Sequence, residues 1–281
     1  MSGKERRTPL LSVLVVVLAF LLTPLTAAAQ TRIKAPRNFF GIKSDVEAGR
    51  EAARESEREA RIVHDREVTY YVERIGQRLV AALPEEFRHP EFRYIFKVID
   101  NKDINAFALP GGWVYVNRGM IEAARNEGEL AGVMAHEISH VALRHGTAQV
   151  SKAYPWLIGL SIASAVMGNG KAAQIAELGG AVALQLYFLK FSRSYETQAD
   201  ILGSQIMARA GYDPTDLADV FRLIESREGN GGPGWLRSHP KPKDRYERIN
   251  QEIALLRVNP YPVENNVELS RIQARLGRSR F

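Results

Sequence analysis

The sequence of 281 residues is 45% hydrophobic and 25% charged, carries a formal charge of +6 and contains no cysteine. This is a globular balance, long enough for one good core or two small ones. It excludes a disulfide framework, so the chain holds together by packing or with the help of a metal.

In chain order, Lys4, Arg6 and Arg7 precede an apolar run from Leu10 to Leu22, Pro24 breaks it, and Ala27 and Ala29 occupy the small-residue positions of a cleavage site. Residues 1–29 read as a secretory signal peptide, cut near Ala29, which predicts an exported protein of the periplasm or cell envelope. An uncleaved anchor is the alternative, but the 13-residue run is shorter than the roughly 20 residues that cross a bilayer. The leader holds three basic residues and one acid, so the remainder carries +4. Residues 241–281, with nine Lys or Arg against five Asp or Glu, also carry +4, which leaves the body neutral. A basic tail over 258–281 can meet an anionic lipid or polymer surface, although a solvated end is the plainer expectation. Nucleic acid is not an expected partner of an exported chain.

Residues 30–64 read as a charged N-terminal helix or linker, with opposite charges three or four apart over 44–65 predicting a solvated helix. From 66 to 82 the pattern turns amphipathic, with Val68, Tyr71, Val72, Ile75, Leu79 and Val80 on one face. Residues 91–99 alternate as a strand, and "INAFALPGGWVYVN" reads as a hairpin of strands 104–109 and 113–117 around a Pro-Gly-Gly turn. A helix is predicted from Asn126, which Glu129 helps to cap, to Gly146. Residues 153–191 read as an apolar helical hairpin split by "GNGK". Its run from Trp156 to Met167, only 12 residues, is too short for a membrane span. The hairpin packs over the preceding helix, rests on lipid as a peripheral contact, or caps a cleft. Further helices are expected over 194–211 and from Pro214, and a last one of about 15 residues from Lys243, after the Gly- and Pro-rich stretch "REGNGGPGWLRSHPKPKD". The fold class is α+β: a mainly helical domain over 65–257 with a small antiparallel sheet beside the helix that starts at Asn126.

That helix carries "MAHEISHVALRH" at 134–145. At 3.6 residues per turn, His136 and His140 project side by side from one face, and two such imidazoles grip one metal ion while Glu137 stands beside it without binding. A catalytic metal needs a third protein ligand and an open position. In "SYETQADILGSQIMARA", Glu196 and Asp200 share one stripe with Ala199, Gly203 and Met207. Carboxylates facing protein are expensive unless they meet a cation. Glu196 is therefore the candidate ligand, and Asp200 the acceptor for the free ring N–H of a ligand histidine. Such nitrogen and carboxylate ligands suit zinc and other first-row metals alike. His64, His89 and His145 show no partner pattern, and His145, five residues past His140, points away from the metal face.

"HEISH" followed by "ETQAD" resembles the gluzincin metallopeptidases, and within them metallopeptidase family forty-eight, which includes the CAAX prenyl protease and soluble periplasmic quality-control proteases. "INAFALPGGWVYVNRGMI" at 104–121 is similar to the family's edge-strand segment, and "SHPKPKDR" to its late His-Pro element, so the likeness covers roughly residues 65–255. The multiple membrane spans of the prenyl protease and the helical repeats of some periplasmic members are missing. The resemblance implies a zincin-like fold, one zinc ion per chain, and hydrolysis of peptide bonds with Glu137 as general base. It places His239 and Arg245 as candidate donors to the developing oxyanion, or His239 as a zinc ligand that holds the enzyme latent. It places Asn105 and Ala106 on an edge that binds extended polypeptide. Unfolded or misassembled envelope proteins are the substrates it suggests. A metal-stabilised binding protein or chaperone with suppressed proteolysis is the alternative, and Glu137 argues against it, because a structural site has no use for a base.

Overall fold

The computed structural model describes residues 30–152, 191–227, 235, 239 and 244–278. The expected leader, residues 153–190 of the expected helical hairpin, and most of the Gly- and Pro-rich stretch lie outside these residues.

Helices α1 (Ile42–Glu59) and α2 (Arg66–Ala81) come first. Asp65 caps α2 by accepting from the Glu67 and Val68 N–H groups. The α2 stripe of Val68, Tyr71, Val72, Ile75 and Leu79 enters the core as expected. Helix α1 differs from the solvated helix predicted for it, because Asp45, Gly49, Ala52 and Ala53 are buried. These small residues let it lie directly on the Pro-Gly-Gly turn, where a Cβ at Gly49 would collide with the Pro110 carbonyl.

Strands β1 (Ile95–Ile99), β2 (Ala106–Leu109) and β3 (Trp113–Asn117) form one sheet in the order β1-β3-β2. The β2–β3 hairpin is antiparallel, with Ala106 opposite Val116 and Leu109 opposite Trp113. β1 pairs with β3 in parallel, Ile95 opposite Trp113. The sheet is thus mixed where an antiparallel one was expected, since β3 returns between the first two strands in the direction of β1. Alternation along the strands turns Leu109 and Tyr115 toward Ala52 and Ala53 of α1, while Phe96, Val98, Val114 and Val116 face the main core.

Helices α3 (Arg118–Ala123) and α4 (Glu127–Ala142) follow the sheet, and all 16 residues of α4 are buried. Asn126 caps α4, accepting from the Glu129 N–H at 2.7 Å, while the Glu129 carboxylate accepts from the Arg125 N–H at 2.7 Å. The helix stops short of the predicted Gly146 because Arg144 is left-handed, with φ 57°. Helical backbone resumes at His145.

Helix α5 (Arg193–Ala210) is capped by Ser192 and closed by Gly211 at φ 88°. It packs along α4. A Cβ at Gly203 would stand 3.4 Å from the His136 backbone nitrogen, so the two backbones run close enough for carboxylates on α5 to reach the α4 histidines. Helices α6 (Thr215–Ser226), α7 (Arg245–Ile253) and α8 (Asn266–Arg278) complete the chain. The helix predicted from Lys243 is α7, shorter than expected, and it is not the last. α8 lies inside the segment read as a basic tail, yet Leu269, Ile272 and Leu276 on one of its faces are buried in the main core. Among the described residues, no helix is long and apolar enough to cross a membrane.

Candidate metal centre

The close approach of α4 and α5 brings the predicted ligands together. Nε2 of His136 and Nε2 of His140 lie 3.0 Å apart. The Glu196 carboxylate faces both, with Oε2 3.4 Å from His136 Nε2 and Oε1 3.5 Å from His140 Nε2. His239 completes the group, its Nδ1 3.1 Å from Glu196 Oε1 and 3.4 Å from His136 Nε2. All four residues are buried, and one potential ligand atom from each lies within 4.8 Å of all the others.

The electrostatics are those of a cation site. Burial alone would depress the His136 pKa, yet the Asp200 and Glu196 carboxylates outweigh it and push it up to about 9. Burial, reinforced by the His136 charge, holds His140 well below the ordinary histidine range. Burial also opposes ionisation of Glu196, but the facing imidazoles of His239, His136 and His140 hold it well below the usual carboxylate range. Its Oε2 is nevertheless buried with no hydrogen-bond donor. Buried polar atoms normally have a partner, and an ionised oxygen that lacks one beside converging imidazole nitrogens fits a metal ion.

A second layer orients the first. Asp200 Oδ1 lies 3.0 Å from His136 Nδ1, in a bent contact, and the guanidinium of Arg245 grips the same carboxylate with bonds of 3.0 and 2.8 Å. Arg245 is fully buried, stacks on Phe221 with 3.6 Å from its guanidinium carbon to the ring centroid, and reaches within 3.5 Å of Glu196 Oε2. Glu137 faces Trp235 and His239. Its Oε1 accepts from the Trp235 indole N–H at 3.0 Å and lies 3.3 Å from His239 Nε2. Trp235 stacks on His239 with ring centroids 4.5 Å apart.

Asn105 and Ala106 are not in this cluster. They stand at the start of β2, which is an edge of the described sheet and packs against α4. Asn105 Oδ1 is buried without a hydrogen-bond donor.

His145 corrects the sequence reading. Its Nδ1 lies 2.9 Å from His140 Nδ1 instead of pointing away, because the left-handed Arg144 interrupts the helical rotation between the two residues. Trp235 was also missed, and its spacing of four from His239 was the one available signal. His64 and His89 remain outside the group, with His89 Nε2 3.0 Å from the Ala142 carbonyl oxygen.

A helix-borne histidine pair joined by a glutamate from a second helix defines a gluzincin-type zinc metallopeptidase, and the mainly helical body with its small sheet is the corresponding zincin-like fold. Sequence comparison places it more closely. The chain belongs to peptidase family M48, whose profile matches residues 67–253. It is 30% identical over 211 residues to the beta-barrel assembly-enhancing protease of Escherichia coli K12, a match covering 73% of this chain and 42% of that protein. It is 30% identical over 159 residues to the metalloprotease YcaL of the same organism, covering 57% of this chain and 62% of YcaL. Over 187 residues it is 29% identical to the mitochondrial metalloendopeptidase OMA1 of Schizosaccharomyces pombe, covering 65% and 52% of the two chains. The chain thus spans about half the length of the curated relatives it matches. In this family's setting, His136, His140 and Glu196 are the residues that could hold a metal ion.

Proposed function

We propose that the protein is an exported endopeptidase that cleaves unfolded or misassembled envelope proteins. The likeness to the beta-barrel assembly-enhancing protease supports this setting, as does the leader-like composition of residues 1–29. The observation that carries the chemistry is a buried carboxylate, Glu137, next to His136 in the chain but outside the group of potential ligand atoms.

His136, His140 and Glu196 hold the zinc in this reading, and Asp200 fixes His136. When bound there, zinc supplies a Lewis acid that lowers the pKa of water and polarises a peptide carbonyl. Glu137 takes the proton from the attacking water and hands it to the leaving amine. The Trp235 indole N–H keeps Glu137 in position for both transfers. Arg245 acts through Asp200 and Glu196, so it positions the ligands and adds positive charge behind them. Asn105 and Ala106 offer an edge to which an extended substrate adds as a strand, which favours unfolded chain over folded protein.

The geometry of His239 favours the latent reading for that residue. With Nδ1 against the ligand atoms and Nε2 against Glu137, it occupies the space beside the metal group that substrate needs. Its release would free Glu137 and the space beside the ligand atoms, and in the released state it is available to the oxyanion.

Metal analysis of the purified protein, combined with casein cleavage by the wild type and by Glu137→Gln, tests the proposal. The variant is expected to retain zinc and lose activity by roughly 10²- to 10⁴-fold. Equal cleavage by the two proteins removes Glu137 from the mechanism.

A further inference from the structure

We propose that His145 is a positioning residue of the metal centre, which fixes the tautomer of His140, and that the N-terminal segment 34–45 holds His145 in place. The inference rests on the reading of His140 as a metal ligand.

The chain of contacts begins at a backbone carbonyl. Gln198 of α5 donates its side-chain N–H to the Lys34 carbonyl oxygen at 2.8 Å, which turns its Oε1 toward His145 Nε2 at 3.2 Å. An amide oxygen only accepts, so His145 Nε2 must carry a hydrogen. In a neutral imidazole the other nitrogen is then bare, and His145 Nδ1 must accept from its neighbour His140 Nδ1 at 2.9 Å. That places the His140 hydrogen on Nδ1 and leaves Nε2 with a free lone pair, the atom that faces His136 and Glu196. One assignment satisfies every group in the chain from Lys34 to the metal site, and it is the one metal binding requires.

A second tether sets the position of the ring. His145 reaches His140 only because Arg144 is left-handed, and the N-terminal segment holds Arg144 there. Its Nε donates to Asp45 Oδ2 at 2.6 Å and its Nη2 to the Phe40 carbonyl oxygen at 2.6 Å. Thr147 also bonds to Asp45. Lys34, Phe40 and Asp45 all precede residue 67, where the family match begins. The segment read from sequence as a charged helix or linker therefore closes around the histidine that supports a ligand.

The test is zinc affinity, measured by competition with a chromophoric chelator, and the visible spectrum of the cobalt-substituted protein. The full exported chain is used as wild type, His145→Ala, His145→Gln, Gln198→Ala, Asp45→Ala and His140→Ala. His145→Ala is expected to bind zinc roughly 10- to 100-fold more weakly and to alter the cobalt spectrum. His145→Gln, whose amide oxygen can accept from His140, is expected to recover much of the loss. Gln198→Ala and Asp45→Ala should move affinity and spectrum in the same direction by less. Wild-type affinity and spectrum in a folded His145→Ala overturn the proposal, and if that variant does not fold, the same result for Gln198→Ala does so. Unchanged zinc binding by His140→Ala would instead remove the underlying assignment of His140 as a ligand.

Discussion

Two buried glutamates flank opposite parts of α4, and their surroundings separate structure from chemistry. Glu127, at the first turn, accepts from the Tyr212 hydroxyl at 2.9 Å, the Asn265 amide at 3.0 Å and the Arg74 guanidinium at 3.2 Å. Its charge is compensated by protein groups, and it joins α2 and the segment before α8 to the helix. Glu196, facing the His136–His140 turn, is equally buried but leaves Oε2 without a donor. Burial of a carboxylate is therefore uninformative by itself. The useful difference lies in whether its lone pairs are satisfied, because an ionised oxygen that protein does not satisfy is available to a metal.

The largest effect that sharpens this contrast is expected from Glu196→Gln. Loss of partners that merely orient a ligand costs roughly 10- to 100-fold in metal affinity, so loss of the ligand charge should cost at least about 100-fold. Thermal unfolding with and without a chelator reads it, because a metal that binds only the folded state raises the melting temperature. The zinc-dependent increment should vanish in Glu196→Gln; its survival would break the comparison.

Glu127→Ala should do the reverse. It leaves buried donors unsatisfied and Arg74 with Glu268 alone among its present carboxylate partners, a loss of about 2–4 kcal/mol. Denaturant unfolding should show that loss with zinc and with chelator alike, while the increment due to zinc persists.

The smallest effect concerns Asp216, near the start of α4. Burial, with Asp213, Glu129 and Asp219 adding to it, pushes its pKa from 3.8 up to about 6, against the hydrogen bond from Asn126. A raised carboxyl pKa means that the folded state holds the proton more tightly than the unfolded state. Its contribution to stability thus falls as pH rises from about 4 through 6 and stays low above. Asp216→Asn should therefore stabilise the protein near pH 7.5, by on the order of 1 kcal/mol, and have little effect near pH 4. A gain of equal size at both pH values would show that relief of charge is not the cause.

Much of the centre was legible because its logic is local. The capping by Asn126, the pairing of His136 with His140, and the acid stripe of Glu196 and Asp200 all follow from helical periodicity. The relation of β1 to β3 was not, since parallel pairing depends on strand order rather than on any property of "EFRYIFKVI". The position of His145 escaped for a sharper reason. Nothing in "ALRHG" announces that Arg144 adopts φ 57°, because the groups that hold it, Asp45 and the Phe40 carbonyl, are about a hundred residues away in sequence. α8 was hidden by composition: the arginines of its solvent side drew attention away from Leu269, Ile272 and Leu276, whose spacing marks a buried face.

Strand β2 has one further consequence. Its four residues, Ala106–Leu109, make it a margin of only about 13 Å in the described sheet. Such margins also invite like molecules to zip together into aggregates. A brief margin limits that hazard, since too few rungs are on offer for two copies to lock.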